Sequence, residues 1–116
     1  MDITTYLNRL DILNETAQQV IKDFGMVGLK IPQVHGARNT PNAYAELFSQ
    51  ILPLVEKLQK ENFQNFYSLM YRIDLSEMQI KKAVESSKDK SFSEIVTDLI
   101  LKRELQKVIT RRSFSK

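Results

Sequence analysis

Apolar residues recur in this chain at alternating steps of three and four, and that spacing restricts it to helices more tightly than any other feature. Ile3, Tyr6, Leu10, Leu13, Ala17, Val20 and Phe24 follow the rule, with Leu7 and Ile21 widening the stripe. An amphipathic helix of about six turns is expected from them. The same spacing would suit a coiled-coil seam, but it lasts about three heptads and then meets Gly25, which favours a bundle helix.

The pattern stops over residues 25–40, GMVGLKIPQVHGARNT, which hold all three glycines, the only histidine and one of the three prolines. Gly25 suits the left-handed residue that ends a helix. Thr40 and Pro41 suit the N-cap and first position of the next one, where proline's missing N–H would be unpaired anyway. The segment is long for a bundle connection. Met26, Val27, Leu29, Ile31 and Val34 are too apolar for a loop lying free in water, so the loop is expected to be pinned to the helices with Lys30, His35 and Arg38 pointing outward.

Past the loop, Tyr44, Leu47, Phe48, Ile51, Val55 and Leu58 make the next buried face. Pro53 lies inside it. Its ring crowds the Ser49 carbonyl and removes one hydrogen bond, predicting a kink or short break near Gln50 to Leu52. Phe63, Phe66, Tyr67, Met70, Tyr71 and Ile73 form a third helix, continuous with the second or divided from it near Glu61-Asn62. Ser76 with Gln79 has capping-box spacing, Asp74 with Glu77 has a competing version of it, and a short helix carrying Met78, Ile80, Ala83 and Val84 follows. The last helix is expected to start at Ser91 or Ser93, and Ser91 with Glu94 again has the capping-box form. That helix carries Phe92, Ile95, Val96, Leu99, Ile100, Leu101, Leu105, Val108 and Ile109, a set wide enough to need cover on more than one side.

No strand alternation of useful length competes with this pattern. The expected fold is all-α: a single-domain bundle of four to five helices over residues 1–116, with one long loop (residues 25–40) after the first helix. The basic end, residues 110–116, is expected to fray. A chain of 116 residues with 42% apolar and 27% charged residues fits one hydrophobic core and no more. Its longest apolar runs fall far short of the roughly 20 residues that cross a bilayer. Met1-Asp2-Ile3 lacks the basic start of a signal peptide, so a cytoplasmic protein away from membranes is expected.

Function is less legible. Absence of cysteine removes disulfides, thiolate ligands and thiol nucleophiles. His35 has the ordinary pKa of a general base, but no ligand or catalytic partner stands at short spacing from it, and no cofactor or metal is expected. Carboxylates at helical spacing, such as Glu94 and Asp98, fall on solvated faces, and Asp98 stands four before Lys102. Arg38 beside a helix start at Thr40-Pro41 is a candidate anion contact. Arg72 and Asp74 stand where a guanidinium could tie one helix end to the cap of the next.

The net charge of +3 is concentrated in residues 102–116, where Lys102, Arg103, Lys107, Arg111, Arg112 and Lys116 face only Glu104 in acidity. Phosphate contacts through Lys102, Arg103, Lys107, Arg111 and Arg112, and so nucleic-acid binding, are one reading; no recognised nucleic-acid motif accompanies them. The aromatics at 63, 66, 67 and 71 read as core edged by tyrosines or, alternatively, as a ridge that a partner covers. Abundant apolar faces without an assembled reactive site point first to a non-catalytic protein-protein interaction or oligomerisation domain. Its candidate interface residues are Leu101, Leu105, Ile109, Tyr67 and Tyr71.

The order of segments, with the runs FYSLMYRID at 66–74 and LILKRELQK at 99–107, resembles a group of small bacterial helical proteins of unknown function. The resemblance spans most of the chain and implies an all-α cytoplasmic protein without implying an activity.

Overall fold

In the computed structural model, which describes residues 3–7, 9–28 and 42–114, a short 3-10 helix (Thr4–Tyr6) precedes five α-helices. These are α1 (Leu10–Met26), α2 (Ala43–Glu61), α3 (Phe63–Arg72), α4 (Glu77–Ser86) and α5 (Phe92–Phe114). No strand occurs among the described residues, and the all-α bundle stands.

The expected buried stripes fall where the spacing put them. Leu13, Ala17, Val20 and Phe24 of α1 meet Leu47, Ile51, Val55 and Leu58 of α2 and Val96, Ile100, Leu101, Leu105 and Val108 of α5 in one continuous core. Helix α5 packs most extensively on α1 and α2, with α4 against it as well, which accounts for its wide apolar set. Leu101 and Leu105 are 0% exposed and Ile109 6%. They are the chain's own core and not an interface for a partner. Each such side chain contributes about 1.5–3 kcal/mol by leaving water.

Helix boundaries differ from the expectation where tertiary packing decides them. The first helix starts at Leu10: Arg9 is extended (φ −84°, ψ 114°), and among the described residues the segment before it makes 3-10 and turn hydrogen bonds. Thr4, Thr5 and Asn8 are poor helix formers. Ile3, Tyr6 and Leu7 nonetheless pack on the core. At its other end α1 runs through Gly25, and the left-handed residue is Gly28, at φ +88°. Met26 is 64% exposed, so it pins nothing, whereas Val27 does pack on the core. Leu29, Lys30, Ile31, Val34, His35, Arg38, Thr40 and Pro41 lie outside the described residues.

Helix α2 is unbroken across Pro53, which lies on its exposed side. Asn62 alone separates α2 from α3. Its backbone N–H donates to the Leu58 carbonyl at 2.9 Å, ending one helix, and its side chain accepts from the Asn65 N–H at 3.1 Å, starting the next.

Helix α3 ends in a Schellman turn: Asp74 sits at φ 63°, its N–H donates to the Tyr71 carbonyl, and the Leu75 N–H donates to that of Met70. Both capping boxes form. Ser76 and Gln79 exchange bonds of 2.8 and 3.1 Å, and Ser91 and Glu94 bonds of 2.9 and 3.1 Å. The guanidinium at the α3–α4 junction is Arg103, not Arg72: it donates to the Ile73 carbonyl and to Asp74, both at 3.2 Å. The last helix runs to Phe114.

Candidate functional site

Helices α3, α4 and the start of α5 enclose an open groove of about 680 Å³. Its floor is Phe66, Met70 and Leu75, all buried. Its walls are Ile80 and Val84 of α4, Phe92 at the first turn of α5, and a ridge formed by Phe63, Tyr67 and Tyr71. These three stand at successive fourth positions of α3, so they share a stripe displaced from Phe66, Leu69, Met70 and Ile73. They are 51%, 50% and 89% exposed. Of the four clustered aromatics only Phe66 is core, and Phe63, assigned by spacing to the buried face, belongs to the exposed ridge.

The ridge is internally ordered. Phe63 meets Tyr67 edge-on at 4.8 Å between centroids and stacks on Phe66 at 5.8 Å, while Phe92 lies 6.3 Å from Phe66 and closes the far end. Such ring pairs contribute about 0.5–1.5 kcal/mol beyond their buried area. Neither tyrosine hydroxyl has a hydrogen-bond partner among the described residues. Along the opposite lip, Glu77, Lys81 and Glu85 of α4 line the groove, and none makes an ion pair among the described residues.

The α5 cations are placed very differently. Arg112 lies 3.0 Å from Asp11 and 3.2 Å from Glu15; Arg111 lies 3.9 Å from Glu15 and donates to Gln19 at 3.0 Å. Lys107 lies 3.4 Å from Asp23 and 3.2 Å from Glu104. Lys102 holds Asp98 at 2.9 Å, and Asp98 also accepts from the Tyr44 hydroxyl, whose pKa rises through burial and that carboxylate. With Arg103 on Asp74, all five cations proposed for phosphate are engaged within the chain. Asp11, Glu15, Gln19 and Asp23 recur every fourth residue along α1, a polar stripe that was readable in the sequence and matches α5 running antiparallel. Bonds from Arg9 and then Arg112 hold the Asp11 carboxyl down at about 2, and the same contact raises the Arg112 pKa.

Where this seam meets the core it contains a carboxylate pair that spacing did not reveal. Asp23 is 2% and Glu104 0% exposed. Burial works against the Asp23 carboxylate, but hydrogen bonds with Glu104 and Gln19, the Lys107 charge and the Arg72 guanidinium outweigh it and keep its pKa below 3.8. Arg72 donates to it at 3.0 Å and Gln19 at 3.2 Å. Glu104 goes the other way, to about 8, through burial and then the neighbouring Asp23. As a carboxylate it would hold two buried oxygens without a hydrogen-bond donor, with only the Lys107 ion pair beside it. As an acid it donates to Asp23, which removes the repulsion.

Among the described residues no group of three or more histidine, cysteine or carboxylate side chains is placed to hold a metal ion, and no helix is long and apolar enough to cross a membrane. His35 and Arg38 lie outside those residues. Comparison of the chain with family models, with curated proteins and with solved structures finds no match.

Proposed function

We propose that this chain is a non-catalytic helical protein that receives an apolar surface of another protein chain in the groove between α3 and α4. The observation that carries the reading is the exposed ridge of Phe63, Tyr67 and Tyr71 beside a groove floored by Phe66, Met70 and Leu75. Aromatic side chains beside a preformed apolar depression are the usual anchors of protein interfaces, and their hydroxyls supply orientation. The groove's volume lies within the roughly 300–1,000 Å³ of built binding sites. Its polar members favour docking over chemistry: Ser76 is engaged in a helix cap, and Glu77, Lys81 and Glu85 lie along the lip. Among the described residues the perturbed carboxylate pair, Asp23 and Glu104, is buried away from the groove and from solvent.

The test is site-directed photocross-linking in cells that make the protein. A benzophenone side chain at position 71 is expected to give a discrete adduct with a protein chain, and one at the exposed position 110 on α5 none. Absence of adducts from 63, 67 and 71 alike overturns the reading.

A further inference from the structure

Helix α4 is poorly covered by its own chain. It carries Met78, Ile80, Ala83 and Val84, yet none of its ten residues is buried, and Met78 is 60% exposed. A helix this short is marginal in water by itself. Contacts with α5 and the Ser76 capping box hold its base, while its outer side faces the open groove.

The charges on that side form a pattern with a specific symmetry. Glu77, Lys81 and Glu85 occur every fourth residue, so they make a row along α4 that reads acid–base–acid in both directions. Laid in register with an identical row, in either direction, each charge meets its like; displaced by one turn, acid meets base, and only the antiparallel arrangement makes that pairing reciprocal. Laid antiparallel and displaced by one turn, Glu77 meets Lys81 of the partner subunit while Lys81 meets Glu77 of the partner subunit; displacement the other way uses Glu85 instead. That reciprocity is what a two-fold interface between identical chains requires. The row is available, since it makes no ion pair among the described residues, whereas the α5 cations hold carboxylates of their own chain. The ridge adds complementarity of shape: Tyr71, at 89% exposure, projects beside the groove into which the ridge of a second copy would enter.

We propose that the groove's occupant is a second copy of this chain, docked on α4 antiparallel about a two-fold axis. The proposal rests on the reading of the groove as a protein-docking site. Two charge variants of the full chain test it: Lys81→Glu gives an all-acidic row, and Glu77→Lys with Glu85→Lys an all-basic one. Wild type is expected to dimerise in analytical ultracentrifugation. Each variant alone is expected to dissociate roughly tenfold more readily or worse, and an equimolar mixture to recover as heterodimer. Circular dichroism checks that both variants remain helical; if either unfolds, Tyr71→Ser takes its place and is expected to give a folded monomer.

A wild type that stays monomeric at every concentration it tolerates overturns the proposal. So does a dimer that the charge variants and Tyr71→Ser all leave intact. The cross-link at position 71 separates the two readings. An adduct to a different protein, with a monomeric wild type, keeps the groove as a docking site and removes the second copy; no adduct and no dimer removes both.

Discussion

The α1–α5 seam and the α3–α4 groove are made of the same materials, apolar stripes flanked by charges, and they end in opposite states. Along the seam every apolar stripe is covered and Lys107, Arg111 and Arg112 each find an acidic or amide partner on α1. At the groove two ten-residue helices leave aromatics in water and three charges unpaired among the described residues. Length accounts for part of the contrast. Helix α1 has 17 residues and α5 has 23, enough turns to lay one stripe along another, while α3 and α4 have ten each. Positive charge in a segment is therefore weak evidence for an external anion when a carboxylate stripe of the same pitch lies on another helix.

Breaking the apolar half of the seam should have the largest effect. Leu105→Ala is expected to destabilise the protein by about 2–5 kcal/mol in chemical denaturation, because it opens a cavity at a fully buried position. The matching truncation at the groove, Tyr71→Ala, should stay within about 0.5 kcal/mol, since that side chain is almost fully exposed. Equal costs would contradict the division between a covered seam and an open groove.

Next in size is pH. Because Glu104 binds its proton more tightly folded than unfolded, its contribution is fully present below the ordinary carboxyl pKa of 4.5 and is lost as pH rises toward about 8. Asp11 and Asp23 act in the opposite sense, losing their contribution as pH falls below 3.8. Stability should thus be greatest near the mildly acidic side and fall by roughly 2–5 kcal/mol toward pH 9. Glu104→Gln, whose amide still donates to Asp23, should flatten that fall. A profile indistinguishable from wild type would remove Glu104 as its cause.

A smaller effect is expected at the turn that joins the two regions. Asp74→Gly relieves the left-handed conformation and loses only an exposed contact with Arg103, so a gain of about 0.5 kcal/mol is expected. The smallest belongs to the outer ion pairs. Arg112→Ala should lower the melting temperature slightly in dilute buffer, and the difference should shrink in molar salt, as screening removes the contacts with Asp11 and Glu15.

Local hydrogen bonding explains what could be read from the chain. Both capping boxes join residues three apart, so Ser76 with Gln79 and Ser91 with Glu94 carry their geometry in the spacing itself. Burial was legible for the same reason at Leu13, Ala17, Val20 and Phe24, where one period covers a whole helix face. Gly25 misled because where a helix stops depends on what its last turn packs against, and the hydrogen bonds continue to Gly28. The phase of Phe63 was ambiguous because ten residues admit two neighbouring stripes. The pairing of Asp23 with Glu104 joins distant helices, and no local pattern encodes it. Its trace in the sequence was the stripe of Asp11, Glu15, Gln19 and Asp23, whose period matches a partner helix.

The turn at Asp74 has a consequence for how this surface could diversify. The relation of α3 to α4 is set by backbone bonds from Asp74 and Leu75, by the Ser76 cap, and by Arg103 gripping the Ile73 carbonyl from behind. Tyr71 enters only through its main-chain carbonyl, and none of these contacts involves the side chains of Phe63, Tyr67, Tyr71 or Met78. The mould is cast in main chain, and its lining is interchangeable: substitutions along the ridge can rewrite which surface is recognised while the cleft that presents them keeps its form.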